Sequence, residues 1–183
     1  MQVYEEFFGA LGQIHVGGVK SLCLQDPATQ NQLELFEAQL ECAIPVDLVK
    51  FWSLHNGQGG GVEAFNHLHL FSIERSHQFM EEKEGIFDVP SGSSKMSNLI
   101  VRKDILWSKK WIPIAGQCGG SKLVVDLDPG SKGTVGQVFG IDIYNLVEGI
   151  YSHSLSDFFT RMLAQLKNGH FQTDFLVIDF QKI

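Results

Sequence analysis

Residues 111–129 read WIPIAGQCGGSKLVVDLDP, and two apolar runs flank a glycine-rich break there. Trp111, Ile112 and Ile114 make the first run, three glycines fall between Gly116 and Gly120, and Leu123, Val124, Val125 and Leu127 make the second. Asp128-Pro129-Gly130 stops it. Apolar segments of this length between turn residues are the mark of buried strands, so a hairpin is expected in the middle of the chain. Pro113 has no N–H to give to a ladder, which places the first strand at a sheet edge or requires a bulge in it.

The rest of the chain supplies helices around that hairpin. Asp26-Pro27 starts a helix expected over 27–42, with Leu33, Phe36 and Leu40 at helical spacing. A second begins at Pro45 and carries Leu48, Phe51, Trp52 and His55 before Asn56-Gly57 ends it. Residues 62–71 alternate and predict a half-buried strand. Ser72 caps a helix through Glu82, with Ile73 and Phe79 inward; Glu81, Glu82 and Glu84 crowd its negative end, which should fray unless a partner covers it. Residues 85–110 lack regular pattern: 90–94 form a loop by composition, and Leu99, Ile100, Val101, Ile105, Leu106 and Trp107 predict a short buried helix or strand. Residues 136–142 give a third strand and 144–152 contain a fourth. Leu155 to Lys167 keeps an apolar stripe for three turns, with Ser154 and Asp157 as a capping box and Asn168-Gly169 as the stop. Phe7, Phe8 and Leu11 predict a short helix in the first twenty residues, and 171–180 an edge strand. Strands and helices in this mixture make the fold class α+β, and no repeat or linker divides the 183 residues, so one domain over 1–183 is expected.

Composition narrows the function classes. A formal charge of −7 argues against nucleic acid, whose phosphates require clustered Lys and Arg. It suits a basic protein partner, or simply solubility. Cys23, Cys42 and Cys118 are odd in number and have no C-x-x-C spacing, so no disulfide framework or zinc ribbon is implied and a reducing cytoplasm is the expected compartment. No apolar run reaches membrane-spanning length, and Glu5 and Glu6 stand where a leader would carry Lys or Arg.

Few constellations could carry chemistry. On a strand His67 and His69 would share a face and begin a metal site, but zinc requires a third protein ligand and none lies near in sequence. Asp126 and Asp128 could hold a cation, or serve the Pro-Gly turn that follows. Cys118 lacks a visible base, and Gly116 to Lys122 has the wrong order for a phosphate loop and precedes a strand rather than a helix. No cofactor or catalytic residue is expected.

Two passages together resemble the SUKH superfamily, which groups the fungal Smi/Knr cell-wall-synthesis regulators with many bacterial immunity proteins. One is Ile44-Pro45-Val46-Asp47-Leu48 through Phe51-Trp52 to Asn56-Gly57. The other is Trp111-Ile112-Pro113-Ile114-Ala115, then Gly119-Gly120, then Leu123 to Asp128. The likeness spans a core of about 33–166, leaving an irregular insert at about 85–110. It implies helices packed on a mostly antiparallel sheet, and architectural roles for Pro45, Asp47, Trp52, Asn56, Gly57, Trp111, Pro113, Gly119, Gly120 and Asp126. It also implies a binding protein: an immunity protein that neutralises a cognate toxin, of the kind that includes nucleases and deaminases, by direct contact. Two alternatives stay open, a regulatory or scaffolding module of the cell-wall type and a metal-dependent hydrolase. Glu63, Glu81, Glu82, Glu84 and Asp88 are the candidate partner-binding residues, with a merely solvated acidic face as the rival account.

Overall fold

The computed structural model describes residues 2–86, 100–102, 105–117, 120–142, 147–172 and 177–178. Within them the chain runs α1 (Gln2–Ile14), a 3₁₀ turn (Gly18–Leu22), α2 (Gln30–Leu40), α3 (Val46–Trp52), β1 (His69–Leu70) and α4 (Ile73–Glu81). A second 3₁₀ turn (Glu84–Ile86), β2 (Trp111–Gly116), β3 (Lys122–Asp126), β4 (Gln137–Ile141), β5 (Val147–Ser152), α5 (Leu155–Lys167), β6 (Phe171–Gln172) and β7 (Val177–Ile178) follow. Strands β1 to β5 pair antiparallel in chain order as one sheet, so the α+β class holds. The expected hairpin is β2–β3, with Trp111 opposite Asp126 and Gly116 opposite Lys122. Cys118 and Gly119, at its turn, lie outside the described residues.

Both faces of this sheet are covered. Ile112, Ile114, Leu123, Val125 and Val138 face a core shared with α1, α2, α3 and α5. Trp111, Val124, Phe139, Ile141 and Ile150 face a second core with Phe79, Val101, Ile105 and Trp107. Every residue of β2, β3 and β4 is buried, which is why their sequences read as continuous apolar runs rather than as alternation. The main core centres on Phe159. Its ring meets those of Tyr4, Phe7, Phe51 and Phe158 at centroid distances of 5.3, 4.8, 5.4 and 5.4 Å, mostly edge-to-face, the arrangement that aromatic quadrupoles favour.

Several expectations change. Of the two placements expected for Pro113 the bulge holds, between Pro113 and Ala115, and the edge does not: β2 is interior, between β1 and β3. β1 ends before reaching Pro113, whose carbonyl instead accepts from Ser76 Oγ at 2.6 Å. The strand over 62–71 shrinks to His69–Leu70, because Asn66 and His67 adopt φ of 49° and 59°. Two consecutive left-handed residues reverse the chain between Phe65 and Leu68. Helix α2 starts after Thr29, not Asp26, since Thr29 and Gln32 form a reciprocal capping box. The described residues 100–102 and 105–107 form neither helix nor strand; Val101, Ile105 and Trp107 are buried all the same, while Leu106 is partly exposed. The tail forms its own two-stranded ribbon, β6–β7, instead of an edge of the main sheet. It is fastened by the Asn66 amide, which donates to the Ile178 carbonyl at 2.8 Å and accepts from the Ile178 N–H at 2.9 Å.

Helix α5 has the expected limits, although its cap differs in detail. Ser154 Oγ accepts from the Asp157 N–H, but the Asp157 carboxylate accepts from Ser152 Oγ at 2.6 Å instead of reaching back. Helix α1 runs thirteen residues rather than a short stretch, and buries Tyr4, Phe7, Phe8 and Leu11. Residues 87–99, with the expected loop at 90–94, are outside the described residues, as are Tyr144 and Phe180.

Candidate functional site

Helices α2 and α4 lie side by side and run in the same direction, and a groove follows their seam. At the start Gln32 Nε2 donates to Glu74 Oε1 at 2.5 Å. Midway the Phe36 and His77 rings are 6.4 Å apart. At the far end Gln39 and Leu40 come level with Met80 and Glu81. Three adjoining hollows of about 610, 240 and 320 Å³ make up the groove, joined through shared Gln32, Glu74, Gln39, His77 and Glu81. Leu35, Phe36, Leu40, Ile73 and Met80 supply apolar lining, and Leu35 is 57% exposed there. Asp26, Glu74, Glu81 and Glu84 supply negative charge. Among the described lining residues the one lysine is Lys109, and Glu41 engages it at 3.2 Å.

Glu74 is the best-positioned of these acids. Asn56 Nδ2 donates to its Oε2 at 3.2 Å, while Asn56 Oδ1 accepts from the Ile73 N–H at 2.9 Å. One buried side chain thus caps α4 and aims the carboxylate. Partial burial opposes the charge on Glu74, but hydrogen bonds from its own N–H, Ser72, Gln32 and Asn56 outweigh it and hold the carboxyl below its usual range. Gly57 makes the approach possible: at φ +77°, a Cβ on it would lie 2.3 Å from the Ser72 nitrogen. The Asn-Gly pair that read as a helix stop is therefore a joint between α3 and α4.

The acidic residues singled out in the sequence occupy different places. Glu81 and Glu84 line the groove, Glu81 lying 3.7 Å from His77. Glu82 lies 3.6 Å from Arg75. Glu63 is half-buried on the loop whose Val62 N–H bonds the Ser21 carbonyl, and Asp88 is outside the described residues. The end of α4 continues into the 3₁₀ turn, with the Lys83 and Ile86 N–H groups bonded to the Met80 and Lys83 carbonyls. Glu74 escaped the sequence reading, and Asp26 figures there only as a helix start. The groove unites helices about forty residues apart, and periodicity within each helix says nothing about which two become neighbours.

The remaining motif residues hold elements together. Pro45 precedes α3 and packs near Gly136. Asp47 accepts from the Ser156 N–H at 3.3 Å, at the start of α5. Trp52 is fully buried and donates its indole N–H to the Phe71 carbonyl at 3.0 Å. The Gly120 N–H bonds the Gln117 carbonyl, and the Gly120 carbonyl accepts from Lys122 Nζ at 2.5 Å, closing the hairpin end. Trp111 and Pro113 sit in β2 as described.

Asp126 and Asp128 anchor the segment that covers the second sheet face. Gln137 Nε2 donates to Asp126 Oδ2 at 2.8 Å and to the Ile100 carbonyl at 3.0 Å. Asp128 pairs with Arg102 at 2.7 Å and accepts from Ser108 Oγ at 2.9 Å. Burial pushes the Asp126 carboxyl up to about 6, against hydrogen bonds from Gln137 and the Asp128 N–H. The Trp111 indole N–H lies close to that carboxyl but outside hydrogen-bonding geometry. His67 and His69 do not share a strand face; His69 Nε2 lies 3.3 Å from the Gly61 carbonyl. Among the described residues no group of three or more His, Cys, Asp or Glu side chains is placed to hold a metal ion. No described helix is long and apolar enough to cross a membrane.

Comparison with known proteins follows the same outline. The chain is 27% identical to a glucan synthesis regulatory protein of Neurospora crassa, over 82% of this chain and 36% of that protein. It is 26% identical to the cell wall biosynthesis/cell cycle regulator smi1 of Schizosaccharomyces pombe, over 80% of this chain and 32% of that protein. It is also 34% identical to the uncharacterized protein YobM of Bacillus subtilis, over 37% of this chain and 42% of that protein. The chain thus spans about a third of the length of the fungal relatives it matches. The sequence model of the SMI1 / KNR4 family (SUKH-1) matches residues 27–165, from the turn before α2 almost to the end of α5, and the chain belongs to that family.

Proposed function

We propose that this protein is an immunity protein, which binds a cognate toxin and blocks it by direct contact in the cytoplasm. The observation that carries the reading is the α2–α4 groove, an apolar-floored cleft edged by Asp26, Glu74, Glu81 and Glu84 on a chain of net charge −7. Such a surface suits a basic protein such as a nuclease or deaminase, because opposite fields speed encounter and fix orientation. Binding rather than bond-making is the proposed activity.

Co-expression with the product of the adjacent gene tests this. A stoichiometric complex and rescue of cells from that product are the expected results; a neighbour that neither binds nor harms cells overturns the reading. A regulatory module of the cell-wall type is the second reading, favoured by the names of the two fungal relatives and their match over four-fifths of this chain. Capture of several unrelated partners, without any toxin among them, would favour it.

A further inference from the structure

We propose that the α2–α4 groove seats one short basic amphipathic helix of the partner, a deepening that rests on the reading of this chain as a protein-binding module. The walls are two parallel helices of eleven and nine residues, so the seam is about 15 Å long and takes about ten residues of a third helix. A helix laid between two others meets them through apolar residues at i, i+3, i+4 and i+7. Leu35 offers exposed apolar surface along the seam, over a floor of the buried Phe36, Ile73 and Met80. Leu35, 57% exposed, is the lining residue that an apolar side chain of the incoming helix would reach first.

Charge selects the occupant. Asp26 and Glu74 stand at one end and Glu81 and Glu84 at the other, so Lys or Arg on both flanks of the incoming helix would meet carboxylates. Glu74 is held in place by Gln32 and Asn56 before anything binds, so little ordering is left to pay for. A second copy of this chain, itself at −7, is disfavoured by like charge, and nucleic acid is disfavoured outright.

The test uses a fluorescein-labelled peptide of about 12 residues, Leu at helical spacing and Lys elsewhere, against a permuted peptide of the same composition. Fluorescence anisotropy with the full chain should show the helical peptide binding about tenfold tighter than the permuted one. Glu81→Lys/Glu84→Lys and, separately, Leu35→Ser should each weaken it about tenfold, while Glu5→Lys/Glu6→Lys, with the same change in net charge, should leave it within about threefold. All substituted side chains are exposed or half-exposed, and circular dichroism checks that each variant folds. Equal binding of the two peptides, or equal loss in the Glu5/Glu6 control, overturns the proposal, as does absence of binding. The genetic neighbour separates the two claims. If it is captured equally by wild type and by the groove variants, the groove assignment fails and the binding reading stands. If it is not captured at all while the peptide behaves as stated, the immunity reading fails and the groove stands.

Discussion

Asn56 and Gly57 each do a job that only a small set of residues can do. Replacing Asn56 by Ala removes the acceptor for the buried Ile73 N–H and one donor to Glu74, and should cost about 2 kcal/mol, read as a lower urea midpoint at unchanged slope. Gly57→Ala combines left-handed φ with a Cβ pressed on the backbone at Phe71 and Ser72, so a loss of at least about 2 kcal/mol is expected. Asp126 makes stability depend on pH. Its carboxyl titrates near 6 when folded and near its ordinary 3.8 when unfolded, so the folded state holds the extra proton between those values. Stability from this group is therefore greatest below pH 4 and is lost as pH rises through 6. Relative to Asp126→Asn, the wild type should lose on the order of 2 kcal/mol between pH 4 and pH 7 in urea titrations. A difference between the two proteins that stays flat with pH would show that the carboxyl is not held in that way.

Among the elements, α5 and the β2–β3 hairpin were legible because each carries its signal locally, in an apolar stripe between Ser154 and Gly169 and in two apolar runs about three glycines. What the letters hid depends on partners distant in sequence. Residues 62–71 alternate well enough for a strand, yet the Asn66 amide is worth more as a clasp on Ile178 than as one rung of a sheet. Pro113 announced a bulge, and its position inside the sheet became clear only from the two-residue length of β1. Of the groove, Glu81 and Glu84 could be named in advance, whereas Glu74 gains its meaning from Gln32 on another helix. The packing of α5 against α1 and α3 turns on one ring. Phe159→Ala should cost about 3–5 kcal/mol, seen as a fall in thermal midpoint, with the α-helical circular dichroism signal retained at low temperature.

Taken whole, the molecule is an acidic body with a two-sided core, and its net charge acts at a distance that its groove cannot. The association rate with a basic partner should fall by roughly tenfold or more between about 50 mM and about 500 mM salt, measured by stopped flow, while the dissociation rate changes less. A rate indifferent to salt would confine the carboxylates to short-range contact.

The seating of α1 on α5 has a consequence for synthesis. The ribosome releases Tyr4, Phe7, Phe8 and Leu11 well ahead of Phe159, the ring at the centre of their shelter, which follows about 150 residues later. At about 5–20 residues per second the nascent helix waits many seconds with its greasy side in water. That interval makes it a natural client for a chaperone that binds nascent chains, and a long insertion between α1 and α5 would lengthen the wait.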